Sequence, residues 1–246
     1  MLTKNELKYY SSLLQKKYRN SEKKFIVEGE RIVKEGLNSN FTCEIVILST
    51  EYSADHDDLE FGGIRTEIID NNYFVKLSDT KTPQGIIGVF NKFEKSVDYN
   101  SNLIVALEDI SDPGNLGTII RTSDWFGVEQ IFLSGDCTDL YSPKVLRSTM
   151  GSIFHIDVNE DEQFYESLAE MKSKGYEIIC ADMNGEDIYQ FKQEDKTVII
   201  FCSEAYGPSQ KLLSLIDRRV TIPKLGKAES LNVASAAAVI ISKLTG

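Results

Sequence analysis

Three short stretches in the second half of the chain combine glycine with side chains that can hydrogen-bond, and each follows an apolar run of strand length. They are residues 112–121, which begin Asp-Pro-Gly-Asn-Leu-Gly and end on Arg121, residues 203–208, and residues 222–232. In an open α/β sheet, ligands bind in the crevice beyond the carboxyl ends of the strands. Three such turns in one region therefore predict one shared binding site.

Several common chemistries lack their sequence signatures. There is no G-x-G-x-x-G, no G-x-x-x-x-G-K-[ST] and no G-x-S-x-G, which disfavours dinucleotide binding, nucleotide hydrolysis and an esterase-type triad. The only histidines, His56 and His155, do not lie beside a nucleophile in the sequence. The four cysteines are far apart and form no C-x-x-C pair, so we expect no metal site and a reducing compartment.

Composition indicates an ordinary globular protein of 246 residues, with 41% apolar and 26% charged residues. No apolar run approaches the roughly 20 residues of a membrane span, and the amino terminus lacks a secretory signal, so we expect a cytoplasmic protein without membrane association. The net charge of −11 argues against indiscriminate nucleic-acid binding. Basic residues nevertheless concentrate in residues 1–24, among them Lys16, Lys17 and Arg19. They predict either a local RNA-binding face or simply a solvated helix.

The elements that must position the three stretches divide the chain into two regions. In residues 1–92 we expect helices near residues 4–20 and 28–38 and strands at residues 44–48 and 85–90. Residues 93–102 form a polar linker, and residues 103–246 form the domain that carries the stretches. In that domain, apolar runs recur between helical patterns, which predicts an α/β fold with a mostly parallel sheet. The predicted strands cover residues 103–107, 130–133, 155–158, 176–180, 197–201 and 219–222, and the predicted helices cover residues 115–126, 162–174 and 229–244.

Single residues of the first and third stretches have structural as well as functional interpretations. Asn115 can cap the helix that follows it, and Arg121 can reach a phosphate or can be a solvent-exposed structural arginine. Ser230 and Asn232 stand at the start of an alanine-rich helix, where each can cap the helix or bind a ligand. Taken one at a time, these residues leave both interpretations open.

Together the three stretches resemble the three ordered motifs of the SpoU/TrmH family, the RNA ribose 2′-O-methyltransferases of the SPOUT superfamily. The resemblance covers residues 103–244, and it includes Phe126-Gly127 after the first motif and Val233 after the third. Residues 141–151 are similar to the helix that the family has between its motifs. Residues 25–31 and 80–85 are similar to parts of its auxiliary RNA-binding domain, a small α/β fold like that of certain ribosomal proteins.

The resemblance implies an S-adenosylmethionine donor, a carboxy-terminal trefoil knot and a homodimer with its active site near the subunit interface. The residues that match the family's donor-binding positions and their neighbours are Cys202, Ser203, Gly207, Ile222, Pro223 and Leu231. The residues that match its polar catalytic cluster are Asn115, Arg121, Glu204, Ser230 and Asn232.

Two residues depart from the family pattern, because Cys202 and Ala205 stand where glycines are common around the second-motif glutamate. A β-carbon restricts positive φ and narrows the approach of a ligand to the backbone, yet both residues are small, so we expect donor binding to survive. Family accounts give the arginine corresponding to Arg121 the role of base. A guanidinium stays protonated in proteins, so we interpret Arg121 as a bidentate clamp on the phosphate next to the target ribose.

The substrate implied by the resemblance is structured RNA, with ribosomal RNA of the large subunit favoured because an auxiliary domain precedes the catalytic one. Lys144, Arg147, Lys16, Lys17 and Arg19 are the predicted RNA-binding residues. Three alternatives remain open at this stage: ribose methylation of transfer RNA, a non-catalytic RNA-binding assembly factor on the same scaffold, and a small-molecule methyltransferase.

Overall fold

The computed structural model describes residues 2–56, 61–93, 98–203 and 205–246. Its chain divides into two compact units. The amino-terminal unit comprises Met1–Glu94 with Tyr141–His155, and the carboxy-terminal unit comprises Lys95–Leu140 with Ile156–Gly246. Part of the predicted linker, residues 94–97, lies outside the described residues.

Helices and strands follow one another along the described chain. In chain order they are α1 (Lys4–Ser12), α2 (Lys16–Glu22), β1 (Lys24–Glu28), α3 (Glu30–Leu37), β2 (Cys43–Ser49), α4 (Thr50–Asp55), β3 (Thr66–Ile69), α5 (Asn71–Phe74), β4 (Ile86–Asn91), β5 (Leu103–Glu108), α6 (Pro113–Trp125), β6 (Gln130–Ser134), α7 (Pro143–Thr149), β7 (Asp157–Asp161), α8 (Phe164–Ser173), β8 (Glu177–Asp187), β9 (Thr197–Cys202), α9 (Gln210–Leu213), β10 (Arg218–Thr221) and α10 (Val233–Thr245).

The amino-terminal unit is built on a four-stranded sheet in the order β1-β4-β2-β3, in which only β2 and β3 run parallel. The single helix expected near residues 4–20 is two helices, because the chain turns between Leu13 and Gln15 before α2 begins. Helix α1 starts with a capping box in which the side chains of Thr3 and Glu6 each accept a hydrogen bond from the other's backbone N–H. Apolar side chains such as Ile45 and Phe74 are fully or almost fully buried in the core of this unit.

The segment Tyr141–His155, which includes α7, packs with the amino-terminal unit. The ring of Tyr141 lies 4.7 Å from that of Phe25 between centroids, and the ring of Phe154 lies 5.0 Å from that of Phe90. This aromatic packing explains why a segment that follows β6 in the sequence joins residues from the start of the chain. The division into a domain of residues 1–92 and one of residues 103–246 remains a prediction.

The carboxy-terminal unit contains a six-stranded, wholly parallel sheet in the order β10-β8-β9-β5-β6-β7. The central strands β9 and β6 are buried at every position, as expected of strands covered on both faces. The edge strand β7 is more exposed and carries Asp157, Glu160 and Asp161, and such charges discourage pairing with another chain. The predicted α/β class with a parallel sheet is confirmed.

Strand β8 departs from regular pairing beside β10. Arg219 pairs with Cys180 but Val220 pairs with Glu186, so residues 181–185 leave the ladder as a bulge. A Cβ on Gly185 would lie 2.5 Å from backbone atoms of Val220, so only glycine allows the two backbones to come this close.

Among the described residues, no helix is long and apolar enough to cross a membrane.

Candidate functional site

A cavity of about 670 Å³ lies at the carboxyl ends of β9 and β10, beside the bulge in the middle of β8. Its volume falls within the range that small-molecule and cofactor sites occupy. Three segments line it: the bulge of β8, the turn after β9, and the long turn between β10 and α10. The second and third stretches singled out in the sequence therefore share one cavity.

The turn after β9 supplies one wall of the cavity through Cys202, Ser203, Gly207 and Pro208. The N–H of Gly207 donates to the carbonyl of Ser203 across 2.9 Å, which closes the turn, and Gly207 adopts a φ of +62° that favours glycine. Neither Cys202 nor Ala205 is among the residues with positive φ. Their β-carbons therefore impose no backbone strain at the two places where the family commonly has glycines.

The turn before α10 supplies another part of the lining through Ile222, Pro223, Ser230 and Leu231. Residues 223–232 are exposed, and Leu225 is 99% exposed. Helix α10 begins after this turn because Asn232 is its N-cap, and its Oδ1 accepts hydrogen bonds from the N–H groups two and three residues further on. The predicted position of Asn232 at the helix start is confirmed.

The first stretch meets the third through a side-chain hydrogen bond. Nδ2 of Asn232 donates to Oδ1 of Asn115 across 2.9 Å. Asn115 does not cap α6, contrary to the sequence-based expectation, because Asp112 is the N-cap and its carboxylate accepts the N–H of Asn115 across 2.8 Å. Asp112 stands just before the first helical residue, Pro113, where a side-chain oxygen can accept an N–H of the first turn, and Asn115 already lies within that turn. The amide of Asn115 is therefore available to Asn232.

Arg121 lies further along α6 and is exposed, and it is not among the residues that line the cavity. Six residues at 1.5 Å per residue separate it from Asn115 by about 9 Å along the helix axis. Trp125, one turn further on the same face, is 83% exposed. Glu204, the remaining member of the predicted catalytic cluster, lies outside the described residues.

Cys202, which belongs to the cavity lining, has a second thiol beside its own. Sγ of Cys202 lies 3.8 Å from Sγ of Cys180, and both residues are buried. The hydrogen bond with Cys180, burial and the nearby carboxylate of Glu108 raise the pKa of Cys202. The thiol that faces the cavity is therefore neutral, and it presents a small, weakly polar surface rather than a nucleophile.

Sequence reasoning missed the wall formed by the bulge of β8, where Asp182, Met183 and Asn184 line the cavity. Asp182 shapes this wall, since its carboxylate accepts the N–H of Asn184 across 2.8 Å and lies 3.4 Å from Nη1 of Arg219. The sequence did contain a signal for this turn: within a strand-like run, Asp182 stands two residues before Asn184, the spacing at which an Asp side chain accepts a backbone N–H.

Sequence reasoning also missed a buried polar cluster behind the second stretch, formed by Glu108, Tyr165 and Ser209. Glu108 is 4% exposed, and the hydroxyls of Tyr165 and Ser209 both donate to its carboxylate, across 2.7 and 2.6 Å. Burial is the main cause that raises the pKa of Tyr165. Residues this far apart in the chain give no local pattern that would have linked them.

Four of the five predicted RNA-binding residues lie near the surface of the amino-terminal unit, and the fifth is buried. Lys16, Lys17 and Lys144 are exposed, and Arg147 forms an ion pair with Asp79 across 3.1 Å. Arg19 is only 3% exposed, and its Nη1 donates to the carbonyl of Leu13 across 2.8 Å. The burial of Arg19 argues against a place in an RNA-binding face, because its guanidinium is bonded to the turn between α1 and α2.

Within the part of the chain that the structure describes, no group of three or more His, Cys, Asp or Glu side chains could hold a metal ion. The site instead offers backbone groups, small side chains, amides and apolar walls. Such a lining suits an organic ligand with a few polar groups.

Comparison with known families and proteins gives matches to both parts of the chain. The SpoU rRNA Methylase family model matches residues 102–242, and the MRM3-like substrate binding domain model matches residues 4–88. The 23S rRNA (guanosine(2553)-2'-O)-methyltransferase RlmP of Bacillus subtilis (strain 168) is 33% identical over 242 residues, which are 98% of this chain and 96% of that protein.

Solved structures agree over nearly the whole chain. A TrmH-family protein from Porphyromonas gingivalis has a TM-score of 0.87 at 30% identity, covering 99% of this chain and 98% of its own. The AdoMet-bound rRNA methyltransferase from Sinorhizobium meliloti has a TM-score of 0.85 at 26% identity, covering 99% of this chain and 95% of its own.

Proposed function

Because the chain belongs to the SpoU rRNA methylase family, we propose that it transfers a methyl group from S-adenosylmethionine to a ribose 2′-hydroxyl of ribosomal RNA, with the large subunit favoured. The observation that carries the proposal is the cavity at the carboxyl edge of the parallel sheet, which the second and third motifs line together. The Asn115–Asn232 hydrogen bond joins the first motif to this edge.

The residues of the cavity fit the donor. A volume of about 670 Å³ accommodates an adenosyl group with a methionine tail. Ile222 and Leu231 supply apolar surface for the adenosyl group, and the lining also contains polar side chains such as those of Asn184 and Ser203. When bound, S-adenosylmethionine supplies an already activated methyl group, so the protein need only align and desolvate the acceptor hydroxyl.

Arg121 is assigned to the RNA rather than to the donor. Its guanidinium is exposed on α6, outside the cavity lining, where the planar fork can hold the phosphate next to the target ribose. Since a guanidinium stays protonated, it polarises the hydroxyl rather than removing its proton, and the proton passes late to water. Asn115, Ser230 and Asn232 orient the ribose, and Glu204 is assigned a supporting contact to the turn or to Arg121.

Selection of the RNA is assigned to the amino-terminal unit. Although the chain carries a net charge of −11, this unit has 15 Lys and Arg against 15 Asp and Glu, so the carboxy-terminal unit carries the whole excess of acid. A neutral unit with exposed lysines such as Lys16, Lys17 and Lys144 suits contact with a phosphate backbone better than an acidic one does. Phosphate contacts position the RNA, and its shape supplies the specificity.

A cytoplasmic homodimer with a carboxy-terminal trefoil knot belongs to the same proposal. Large apolar side chains at the surface of the carboxy-terminal unit support the dimer: Trp125, Tyr206 and Leu225 are 83%, 84% and 99% exposed. Exposed apolar side chains of this size favour an interface between subunits. Light scattering during gel filtration should give twice the mass of one 27.7 kDa chain.

Methyl transfer can be tested directly. Purified protein is incubated with methyl-labelled S-adenosylmethionine and either ribosomal or transfer RNA from cells that lack the protein, and ribose methylation is mapped on each. We expect label at one ribose of the large-subunit RNA. Label in transfer RNA alone would reassign the substrate, and donor binding without any transfer would favour the non-catalytic RNA-binding factor.

A further inference from the structure

Glu108 is a buried carboxylate at the end of β5, beside the strand that leads into the second motif. It is 4% exposed, and it pairs in register with Cys202 of β9. Burying a carboxylate is costly unless its oxygens receive hydrogen bonds or a cation. The side chain at this position therefore requires donors, and the structure shows which groups supply them.

The donors to the carboxylate come from the far end of the second-motif turn and from α8. Oε1 accepts the hydroxyls of Tyr165 and Ser209, across 2.7 and 2.6 Å, and Oε2 accepts the backbone N–H of Ser209 across 3.0 Å. Ser209 in turn caps α9, because its hydroxyl also accepts the N–H of Leu212 across 3.2 Å. The carboxylate thus fixes both the backbone and the side chain of the residue where the turn ends.

The near end of the same turn is also bound to Glu108. The N–H of Ser203 donates to the backbone carbonyl of Glu108 across 3.1 Å. One residue therefore holds Ser203 through its main chain and Ser209 through its side chain. Between these two points, Gly207 and Pro208 line the cavity.

The backbone at Glu108 is itself held in place. The next residue, Asp109, has a φ of +54°, an uncommon conformation for a residue with a β-carbon. Its N–H donates to Oγ of Ser134 at the end of β6 across 3.1 Å. Non-glycine residues stay in this region only when their surroundings impose it, so the chain turn just beyond Glu108 is tightly specified.

We propose that Glu108 is the positioning residue of the donor site, which sets the shape of the turn 203–209 and so the affinity for S-adenosylmethionine. The inference rests on the proposed function for the identity of the ligand. A carboxylate is suited to this task because it accepts hydrogen bonds at both oxygens and donates none. A glutamine would turn an NH₂ group toward donors, and it would lose the strength of bonds to a charged acceptor.

The test compares Glu108→Gln and Ser209→Ala with Glu160→Gln, a matched control on the exposed edge strand β7 of the same sheet. Hydrogen exchange by mass spectrometry on the ligand-free proteins reports the turn, and calorimetry reports affinity for S-adenosylmethionine and for its demethylated product, S-adenosylhomocysteine. For Glu108→Gln we expect faster exchange in peptides covering residues 203–209 and affinity for both ligands lowered by about tenfold, in line with the loss of hydrogen bonds to a charged group.

Further readouts separate positioning from a general loss of stability. The KM for the donor should rise while kcat at saturating donor changes by less than about twofold, because the turn is restored once the ligand is bound. The effects of Glu108→Gln and Ser209→Ala on affinity should not add, since both weaken the same link between Glu108 and Ser209. If Glu108→Gln does not fold, Ser209→Ala alone should still show the exchange and affinity changes.

Two results would overturn the inference: wild-type exchange and affinity in both variants, or a loss of affinity for S-adenosylmethionine alone. The second result would show that the charge of Glu108 acts on the sulfonium rather than on the turn. A wild-type protein that binds neither ligand would contradict the proposed function instead. In that case the exchange measurement would still decide whether Glu108 holds the turn.

Discussion

The amide of Asn232 donates to Oδ1 of Asn115 across 2.9 Å, and this bond joins the start of α10 to the first turn of α6 although 117 residues separate the two asparagines. The same side chain has a second role, because its Oδ1 accepts the backbone N–H groups that begin α10 and so caps the helix. One side chain therefore both caps α10 and holds Asn115, a second member of the predicted catalytic cluster.

The two tasks of Asn232 can be separated by substitution. Asn232→Asp retains the acceptor that caps α10 but loses the donor to Asn115, so we expect near-normal thermal stability and methyl transfer slowed by about 100-fold, as small displacements of positioning groups can cause. Asn232→Ala loses the cap as well and should lower the free energy of unfolding by about 1 kcal/mol. Denaturation curves and single-turnover rates measure the two effects. Equal rates for Asn232→Asp and wild type would disprove the role of the bond.

Arg121 should be required for transfer but not for donor binding. We expect Arg121→Ala and Arg121→Lys both to lose transfer, because a single ammonium cannot reproduce the planar fork of a guanidinium. Calorimetry should give wild-type affinity for S-adenosylmethionine, since Arg121 does not line the cavity. Lys192→Ala, at another exposed cation of the same unit, is the control and should leave both quantities unchanged. Turnover by Arg121→Lys near the wild-type rate would argue against a phosphate clamp.

The basic residues of α2 should divide into a structural arginine and RNA-binding lysines. Arg19→Ala leaves the buried carbonyl of Leu13 without this donor, so we expect the free energy of unfolding to fall by about 1–3 kcal/mol. Lys16→Ala and Lys17→Ala should preserve stability and weaken RNA binding, with the slope of log affinity against log salt reduced by about 0.7–0.9 for each phosphate that the variant no longer neutralises. Filter binding at several salt concentrations, with Lys192→Ala as control, measures this. An unchanged salt slope would show that these lysines do not neutralise RNA phosphates.

Restoring the family's glycine at Cys202 should not improve the site. Cys202 is buried in β9 and does not have positive φ, so the backbone at this position does not require glycine. Cys202→Gly would remove a buried side chain and would increase the conformational entropy of the unfolded chain, and both effects lower stability. We expect a lower melting temperature and unchanged or weaker binding of S-adenosylmethionine. Cys202→Ala, which retains the β-carbon, should lose less stability. Tighter donor binding by Cys202→Gly would show that the side chain obstructs the cavity.

The sequence by itself determined the elements that local pattern controls. Continuous apolar runs predicted the strands of the parallel sheet. The glycine-containing turns after them predicted one site shared by three stretches, and the second and third stretches line one cavity whereas the first does not. In the amino-terminal region, the runs near residues 44–48 and 85–90 similarly predicted β2 and β4. These strand predictions succeeded because the hydrophobic periodicity and composition of a segment depend on which of its faces are buried, whichever element covers them.

Only the tertiary structure decided which distant residues meet. Aromatic packing drew Tyr141–His155 into the amino-terminal unit, and burial turned Arg19 from an apparent surface charge into a structural donor. The hydrogen bond between Glu108 and Ser209 spans 101 residues. No periodicity encodes such a bond, because the partner of a buried polar group is set by how separate elements pack and not by its neighbours in the chain.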